Sequence, residues 1–167
     1  KAQEHLKKYN LETRIIEFRV STATVSLAAA ALGISDGEIA KSLAFFVHDE
    51  AILVIVAGDK KIDNAKYKAK FHTKAKMLQF EEVETMIGHR VGGVCPFAVN
   101  DGVKVYLDES LKRFETVFPA CGSSNSAIEL TIPELEEYSN YKNWVSVCKD
   151  YNQKALRFIL RAFLLYS

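Results

Sequence analysis

The stretch "KSLAFFVHDEAILVIVAGD" (residues 41–59) decides the fold class of this chain. It contains two apolar runs, rich in β-branched and aromatic residues and joined by the polar "HDE", which together predict a β-hairpin. The apolar residues run too continuously for strands with one face in water. Both strands are therefore expected to be covered on both sides.

The sequence on either side of this hairpin alternates between helical and strand patterns. Upstream, it predicts a helix over residues 2–9, a strand at "TRIIEF", and a helix through "ATVSLAAAAL" that Ser21 or Thr22 caps and Gly33 ends. Downstream, it predicts a lysine-rich helix over residues 62–70, a short strand at "KMLQF", and a helix over "EEVETMI" that ends at Gly88.

Short strands and helices continue to the C-terminus in no regular βαβ order. Strands are expected at "VKVYLD", "TVFPA" and "AIELT", and Pro133 fits the first turn of the helix "PELEEY". This order predicts an α+β fold: one domain over residues 1–167, with a mixed, curled, barrel-like sheet flanked by helices. Residues 138–167 are interpreted as a C-terminal extension. An amphipathic helix is predicted in its last fourteen residues from Leu156, Ile159, Leu160, Phe163 and Leu164.

Bulk composition is that of an ordinary globular protein. The 167 residues are 49% hydrophobic and 26% charged, with a net charge of +1. No apolar run approaches the ~20 residues that cross a bilayer, and the charged N-terminus does not resemble a signal peptide. The three cysteines are scattered and form no CxxC pair, which indicates a reducing cytoplasm and neither a disulfide framework nor zinc. No metal site or cofactor is expected.

Residues 60–76 carry seven lysines and one acidic residue. A local basic face on a nearly neutral protein is typical of contact with a polyanion. The alternative interpretation is a helix face that is simply solvated.

A second distinctive stretch, "GHRVGGVCPFAV", begins at Gly88 and admits three interpretations. Cys95 could be a nucleophile with His89 as its base, although Pro96 follows and no helix N-terminus lowers the pKa of the thiol. Gly92 and Gly93 could instead let a ligand approach the main chain, with amide groups as donors. The third interpretation is a plain turn.

The stretch "CGSSNS" has the same small, flexible character, and the two loops could face one pocket. Lys41 stands where a polar turn becomes a buried strand. Its ammonium could deliver charge into that pocket, or it could extend to solvent.

These segments together resemble a known family. "IAKSLAFFV", "AGDKKID", "GHRVGGVCPFAV", "VYLDESL" and "CGSSNSAIELT" occur in the order and at the spacing of the YbaK-type aminoacyl-tRNA deacylases, which are similar to the editing domain inserted in bacterial prolyl-tRNA synthetases. The resemblance spans about residues 13–137. It implies a barrel-like sheet with flanking helices, and hydrolysis of the ester that joins a wrong amino acid to a transfer RNA.

The resemblance also implies site residues. Lys41 matches the functional lysine of the family and is the expected catalytic residue. The expected substrate-binding residues are Gly92, Gly93, Val94, Cys95, Pro96, Phe97, Gly122, Ser123, Ser124 and Ser126. Lys60, Lys61, Lys66 and Lys68 are expected to contact tRNA phosphates.

The chain departs from the family pattern at two places. Ala127 stands where the cysteine-specific branch has an acid, and Phe18 replaces an aromatic hydroxyl or an imidazole. These departures leave the branch open between cysteinyl, alanyl and other small aminoacyl groups, but not the reaction class. The resemblance implies trans-editing hydrolysis of small aminoacyl groups such as Cys or Ala, on tRNA-Pro or a related tRNA. The alternative is a non-catalytic module that binds charged tRNA. Expected partners are aminoacyl-tRNA and prolyl-tRNA synthetase, with the chain as a monomer or homodimer and no membrane contact.

Overall fold

A computed structural model describes residues 1–151, 161–162 and 164–165. Leu156, Ile159, Leu160 and Phe163 of the predicted C-terminal helix lie outside the described residues. Five α-helices occur between residues 1 and 151. They are α1 (Ala2–Lys7), α2 (Val25–Leu32), α3 (Asn64–Phe71), α4 (Phe80–Ile87) and α5 (Ile132–Ser139).

The strands over the same residues are short, apart from one long hairpin. They are β1 (Ile15–Glu17), β2 (Ile39–Val47), β3 (Glu50–Ala57), β4 (Lys60–Ile62), β5 (Lys76–Met77), β6 (Lys104–Asp108), β7 (Thr116–Pro119), β8 (Ser126–Ile128), β9 (Leu130–Thr131), β10 (Asn143–Val145) and β11 (Cys148–Asp150). Three 3₁₀ segments complete the described elements: Glu12–Arg14, Asp36–Glu38 and Glu109–Arg113.

The β2–β3 hairpin is the centre of a curled, mixed sheet, as the sequence predicts. The strand order is β10-β6-β3-β2-β7-β9, with β5 also paired to β2. β2 pairs antiparallel with β3, whereas β3 pairs parallel with β6 and β2 pairs parallel with β7. The α+β class is confirmed.

Both faces of β3 are buried, and β2 is buried or partly buried along its length. Along β3, Leu53 and Ile55 belong to the larger core, whereas Ile52, Val54 and Val56 pack on the opposite face with Tyr67 and Phe71 of α3. This two-sided burial confirms the expectation drawn from the continuous apolar runs. Because side chains alternate along a strand, consecutive residues of β2 also point to opposite faces of the sheet.

Three local predictions were wrong or incomplete. Thr24, not Ser21 or Thr22, caps α2 by accepting the N–H of Leu27, because the N–H and hydroxyl of Thr22 are bound to the carbonyl of Ser124. The predicted strand "KMLQF" is shorter, since Phe80 already begins α4. The sequence patterns also missed three strands: β4, which overlaps the start of the helix predicted over residues 62–70, and β10 and β11, which pair with β6 and β4.

Candidate functional site

A cavity of about 300 Å³ opens between α2, one face of β2, α4 and the loop of residues 92–96, called the glycine loop below. Larger apolar side chains such as Ile39, Leu78 and Phe118 form part of its lining. The small side chains of the lining are Ala40, Ser42, Ala44, Ala120, Ser126 and Ala127. A volume near the lower end of the range for small-molecule sites, with small side chains in its lining, suits a compact ligand.

The glycine loop contacts the loop of residues 121–126, called the serine loop below. A Cβ placed on Gly93 would lie 2.6 Å from the carbonyl carbon of Gly122 and 2.6 Å from the amide nitrogen of Ser123. No side chain larger than hydrogen fits there, because the neighbouring atoms are backbone. The two loops are thus adjacent, as the hypothesis of a shared pocket requires.

Three amide groups of the glycine loop, those of Gly92, Val94 and Cys95, have no acceptor among the described residues. The N–H of Gly93 donates to the carbonyl of Arg90 at 3.0 Å and closes a turn. The N–H groups of Gly92 and Val94 make no such bond, and both residues line the cavity. Gly92 adopts φ +95°, a conformation in which a side chain would be strained.

Ser42 is a site residue that the sequence interpretation missed. Its hydroxyl oxygen is buried and has no hydrogen-bond partner, although Ser42 lines the cavity. Ser42 alternates with Lys41 along β2, so its side chain leaves the strand on the same face as Ala40 and Ala44. The strand alternation itself could have identified this residue.

The ammonium of Lys41 lies on the other face of β2. It donates to the carbonyl of Lys60 at 2.5 Å and to the hydroxyl of Tyr151 at 3.2 Å, with the carbonyl of Gly58 at 3.4 Å. These three contacts account for the three donors of an ammonium group. Other atoms of Lys41 border the cavity, but the contacts of its charge lie outside it.

Cys95 and His89 form a buried pair without the features of a catalytic dyad. The Sγ of Cys95 is 3.7 Å from Nε2 of His89, and that same nitrogen lies 2.7 Å from the carbonyl oxygen of Phe97. Because a carbonyl only accepts, Nε2 carries the proton and is not free to take one from the thiol. Burial raises the pKa of the Cys95 thiol to about 12, and burial also lowers the pKa of His89.

A test of the thiol hypothesis follows from this geometry. Cys95→Ser and Cys95→Ala are expected to keep the rate of any ester cleavage within about threefold of wild type, because a buried neutral thiol is no nucleophile. The measurement is the initial rate at equal concentrations of folded protein. Complete loss of activity in both folded variants would restore Cys95 as the nucleophile.

The other expected binding residues do not all line the cavity. Some of them lie on the opposite side of the contact between the glycine loop and the serine loop. Ser126 lines the cavity, and its hydroxyl lies 2.6 Å from that of Ser123. Gly122 and Ser123 instead line a separate cleft beside the N-terminus of the chain. Cys95 and Pro96 of the glycine loop are buried, as is Phe97 after it, and Ser124 is exposed next to Gly92.

The lysines expected to contact tRNA are also divided. Lys60 forms an ion pair with Asp150, and Lys66 donates to the carbonyl of Cys148, so both bind the β11 segment. The ammonium of Lys61 lies 5.8 Å from the ring centroid of Tyr151. Lys68 is exposed on α3.

Within residues 1–151, 161–162 and 164–165, no three His, Cys, Asp or Glu side chains are grouped as metal ligands. None of the helices in this part of the chain is long and apolar enough to span a membrane.

Comparison with known proteins places this cavity within a recognised domain. The family described as "Aminoacyl-tRNA editing domain" matches residues 20–138, which include β2, the glycine loop and the serine loop. The uncharacterized protein YwhH of Bacillus subtilis (strain 168) is 53% identical over 148 residues, which cover 88% of this chain and 94% of YwhH. The proline–tRNA ligase of the same organism is 31% identical over 90 residues, covering 53% of this chain and only 16% of the ligase.

Solved structures have the same fold. A protein provisionally described as a trans-editing enzyme for prolyl tRNA synthetase superposes with a TM-score of 0.76 at 28% identity, covering 89% of this chain and 97% of that one. The hypothetical protein APE2540 superposes with a TM-score of 0.75 at 25% identity, covering 87% and 99%. The match over residues 20–138, the relatives and the shared fold together show that this chain belongs to the YbaK-type family of aminoacyl-tRNA editing domains.

Proposed function

We propose that this chain is an aminoacyl-tRNA deacylase that acts in trans and hydrolyses the ester of a mischarged tRNA. The expected substrates carry a small amino acid such as cysteine or alanine, on tRNA-Pro or a related tRNA. The observation that carries the proposal is the pair of unbound amide groups, on Gly92 and Val94, at a cavity lined in part by small side chains. The editing-domain family and its relation to proline–tRNA ligases support the same reaction class.

In this mechanism the main chain stabilises the charge that develops on the ester. The N–H groups of Gly92 and Val94 donate to the carbonyl oxygen of the ester, which becomes negative as the tetrahedral intermediate forms. Water attacks the carbonyl carbon of the ester. The bond to the ribose oxygen then breaks, and that oxygen takes up the proton that the water loses. The mechanism assigns no nucleophilic role to Cys95, because its thiol is neutral and buried.

Side chains at the inner end of the cavity set which amino acid fits. Ala40, Ala44 and Ala127 leave room for a small side chain, and a larger one would collide with the β2 backbone beneath them. The unpartnered hydroxyl of Ser42 is the group best placed to bind a polar atom of the aminoacyl moiety. A ligand there would satisfy a buried group that otherwise carries a desolvation cost.

Lys41 and the lysine-rich helix α3 have different proposed roles. Lys41 acts in the chemical step, and α3 acts in binding the tRNA. The ammonium of Lys41 lies on the far face of β2. Its positive charge acts across the sheet and stabilises the negative charge that develops in the cavity. Lys68 is the proposed phosphate contact of α3, because Lys60 and Lys66 are occupied within the protein. Association with prolyl-tRNA synthetase is proposed from the relatives alone.

Deacylation of prolyl-, alanyl- and cysteinyl-tRNA-Pro tests the proposal, with wild type and Lys41→Met side by side. Wild type is expected to release at least one amino acid with multiple turnovers. Lys41→Met is expected to lower kcat about tenfold, which corresponds to loss of one favourable charge interaction. The matched variant Lys68→Met removes an exposed lysine and is expected to raise KM with kcat unchanged.

The outcomes separate the two candidate functions. Tight binding of aminoacyl-tRNA by wild type without release of any amino acid would identify a binding module and not an enzyme. A folded Lys41→Met variant with the full wild-type kcat would remove Lys41 from the mechanism.

A further inference from the structure

Three exposed apolar side chains surround the mouth of the cavity. Phe80 is 71% exposed, Met77 is 54% exposed and Val91 is 44% exposed, and each of them also lines the cavity. They come from different elements: the first residue of α4, the end of β5 and the start of the turn before Gly92. Their convergence on one opening is a feature of the fold and not of one local sequence.

Phe80 is exposed because α4 extends past the core at this end. Val83 and Ile87 are buried and lie three and seven residues after Phe80, on the same face of the helix. The core ends at Val83, so the ring of Phe80 projects over the opening. Solvent exposure of so large an apolar surface is unfavourable unless a ligand covers it.

We propose that Phe80, with Met77 and Val91, is a stacking platform for the terminal nucleobase of the aminoacyl-tRNA, the adenine at its 3′ end. This inference rests on the proposed function, because it takes the aminoacyl ester as the occupant of the cavity. A cavity of about 300 Å³ holds the aminoacyl group and the adjoining ribose, so the base attached to that ribose lies at the mouth. Aromatic side chains such as that of Phe80 bind bases by stacking.

Charge on either side of the platform suits a nucleic acid strand. Lys76 precedes Met77 and Arg90 precedes Val91 in the sequence, and the ammonium of Lys76 lies 5.3 Å from the ring centroid of Phe46. The side chain of Arg90 is 87% exposed and lies 3.5 Å from Glu84, a surface pair that phosphate can displace. These cations are placed to contact the phosphates of the nucleotides that precede the terminal base.

Steady-state kinetics on the aminoacyl-tRNA that wild type cleaves fastest provide the first test. Phe80→Ala is expected to raise KM about tenfold, whereas Phe80→Tyr and Phe80→Trp are expected to stay within about threefold of wild type. Leu27→Ala is the matched control, because Leu27 is 49% exposed but does not line the cavity. An unchanged KM in Phe80→Ala overturns the platform and indicates that a protein partner covers this patch.

Binding of a non-hydrolysable analogue separates this inference from the proposed function. The probe is 3′-deoxy-3′-(L-alanylamino)adenosine, observed by saturation-transfer NMR. The adenine H2 and H8 signals are expected to receive saturation from wild type and from Phe80→Trp, and to lose most of it with Phe80→Ala. Persistence of these signals in Phe80→Ala, or their absence in wild type, contradicts the platform whether or not the chain hydrolyses esters.

Discussion

Replacing Gly93 with alanine is expected to lower the free energy of unfolding by about 3 kcal/mol, at the upper end of the cost of overpacking. The added Cβ would lie 2.6–2.8 Å from three backbone atoms of Gly122 and Ser123, and backbone cannot rotate away as a side chain can. The glycine loop must therefore move away from the serine loop. Because a displacement of about 1 Å at a catalytic group costs about 100-fold, deacylation is expected to fall at least that much.

Thermal unfolding and initial deacylation rates of Gly93→Ala measure both effects. Gly102→Ala is the control for an added Cβ without a contact. Its φ of +87° adds a backbone strain that Gly93, whose φ is not positive, does not have, but a Cβ there has no atom within 4 Å. That control is expected to lose about 1 kcal/mol and to keep full activity. If Gly93→Ala unfolds at the wild-type temperature and deacylates at the wild-type rate, the loops do not contact each other as described.

The fold was predictable because its main signals are local and redundant. The continuous apolar runs of the hairpin required cover on both faces, and the structure supplies it with α3 on one side and the larger core on the other. Gly33 and Gly88 end α2 and α4 in the left-handed conformation, as glycines after apolar periodic segments predict. In these cases the sequence, the local structure and the packing agree.

The errors come from tertiary contacts that no local pattern records. Ser21 and Thr22 are good capping residues, but the serine loop takes their hydrogen bonds and leaves Thr24 as the cap. β10 and β11 are only three residues each and gain stability by pairing with strands far away in the sequence. Such strands carry little propensity of their own.

The adjacency of the two loops was predictable from the sequence, and the detail of the cavity beside them was not. The sequence indicated two glycine-containing loops as neighbours, and the close approach at Gly93 agrees with that arrangement. It did not indicate that Lys41 and Ser42 serve opposite faces of β2, or that Phe80 stands at the mouth of the cavity. The opposite faces of Lys41 and Ser42 follow from strand alternation, but the position of Phe80 depends on where α4 meets the core.

The central claim is that two main-chain N–H groups stabilise the transition state of ester cleavage. Replacing Val94 by its α-hydroxy acid converts that N–H to an ester oxygen and leaves the side chain unchanged. Because this N–H binds no acceptor among the described residues, the change is expected to leave stability nearly intact. Loss of one oxyanion donor is expected to lower kcat by about 10²–10³-fold.

The matched control is the same exchange at Val20, which is 62% exposed and does not line the cavity. Single-turnover deacylation by the two proteins and by wild type is the most direct measurement of the claim. The account predicts a loss of at least about 100-fold at Val94 and none at Val20. A wild-type rate for the folded Val94 protein, and again for the equivalent exchange at Gly92, would contradict it.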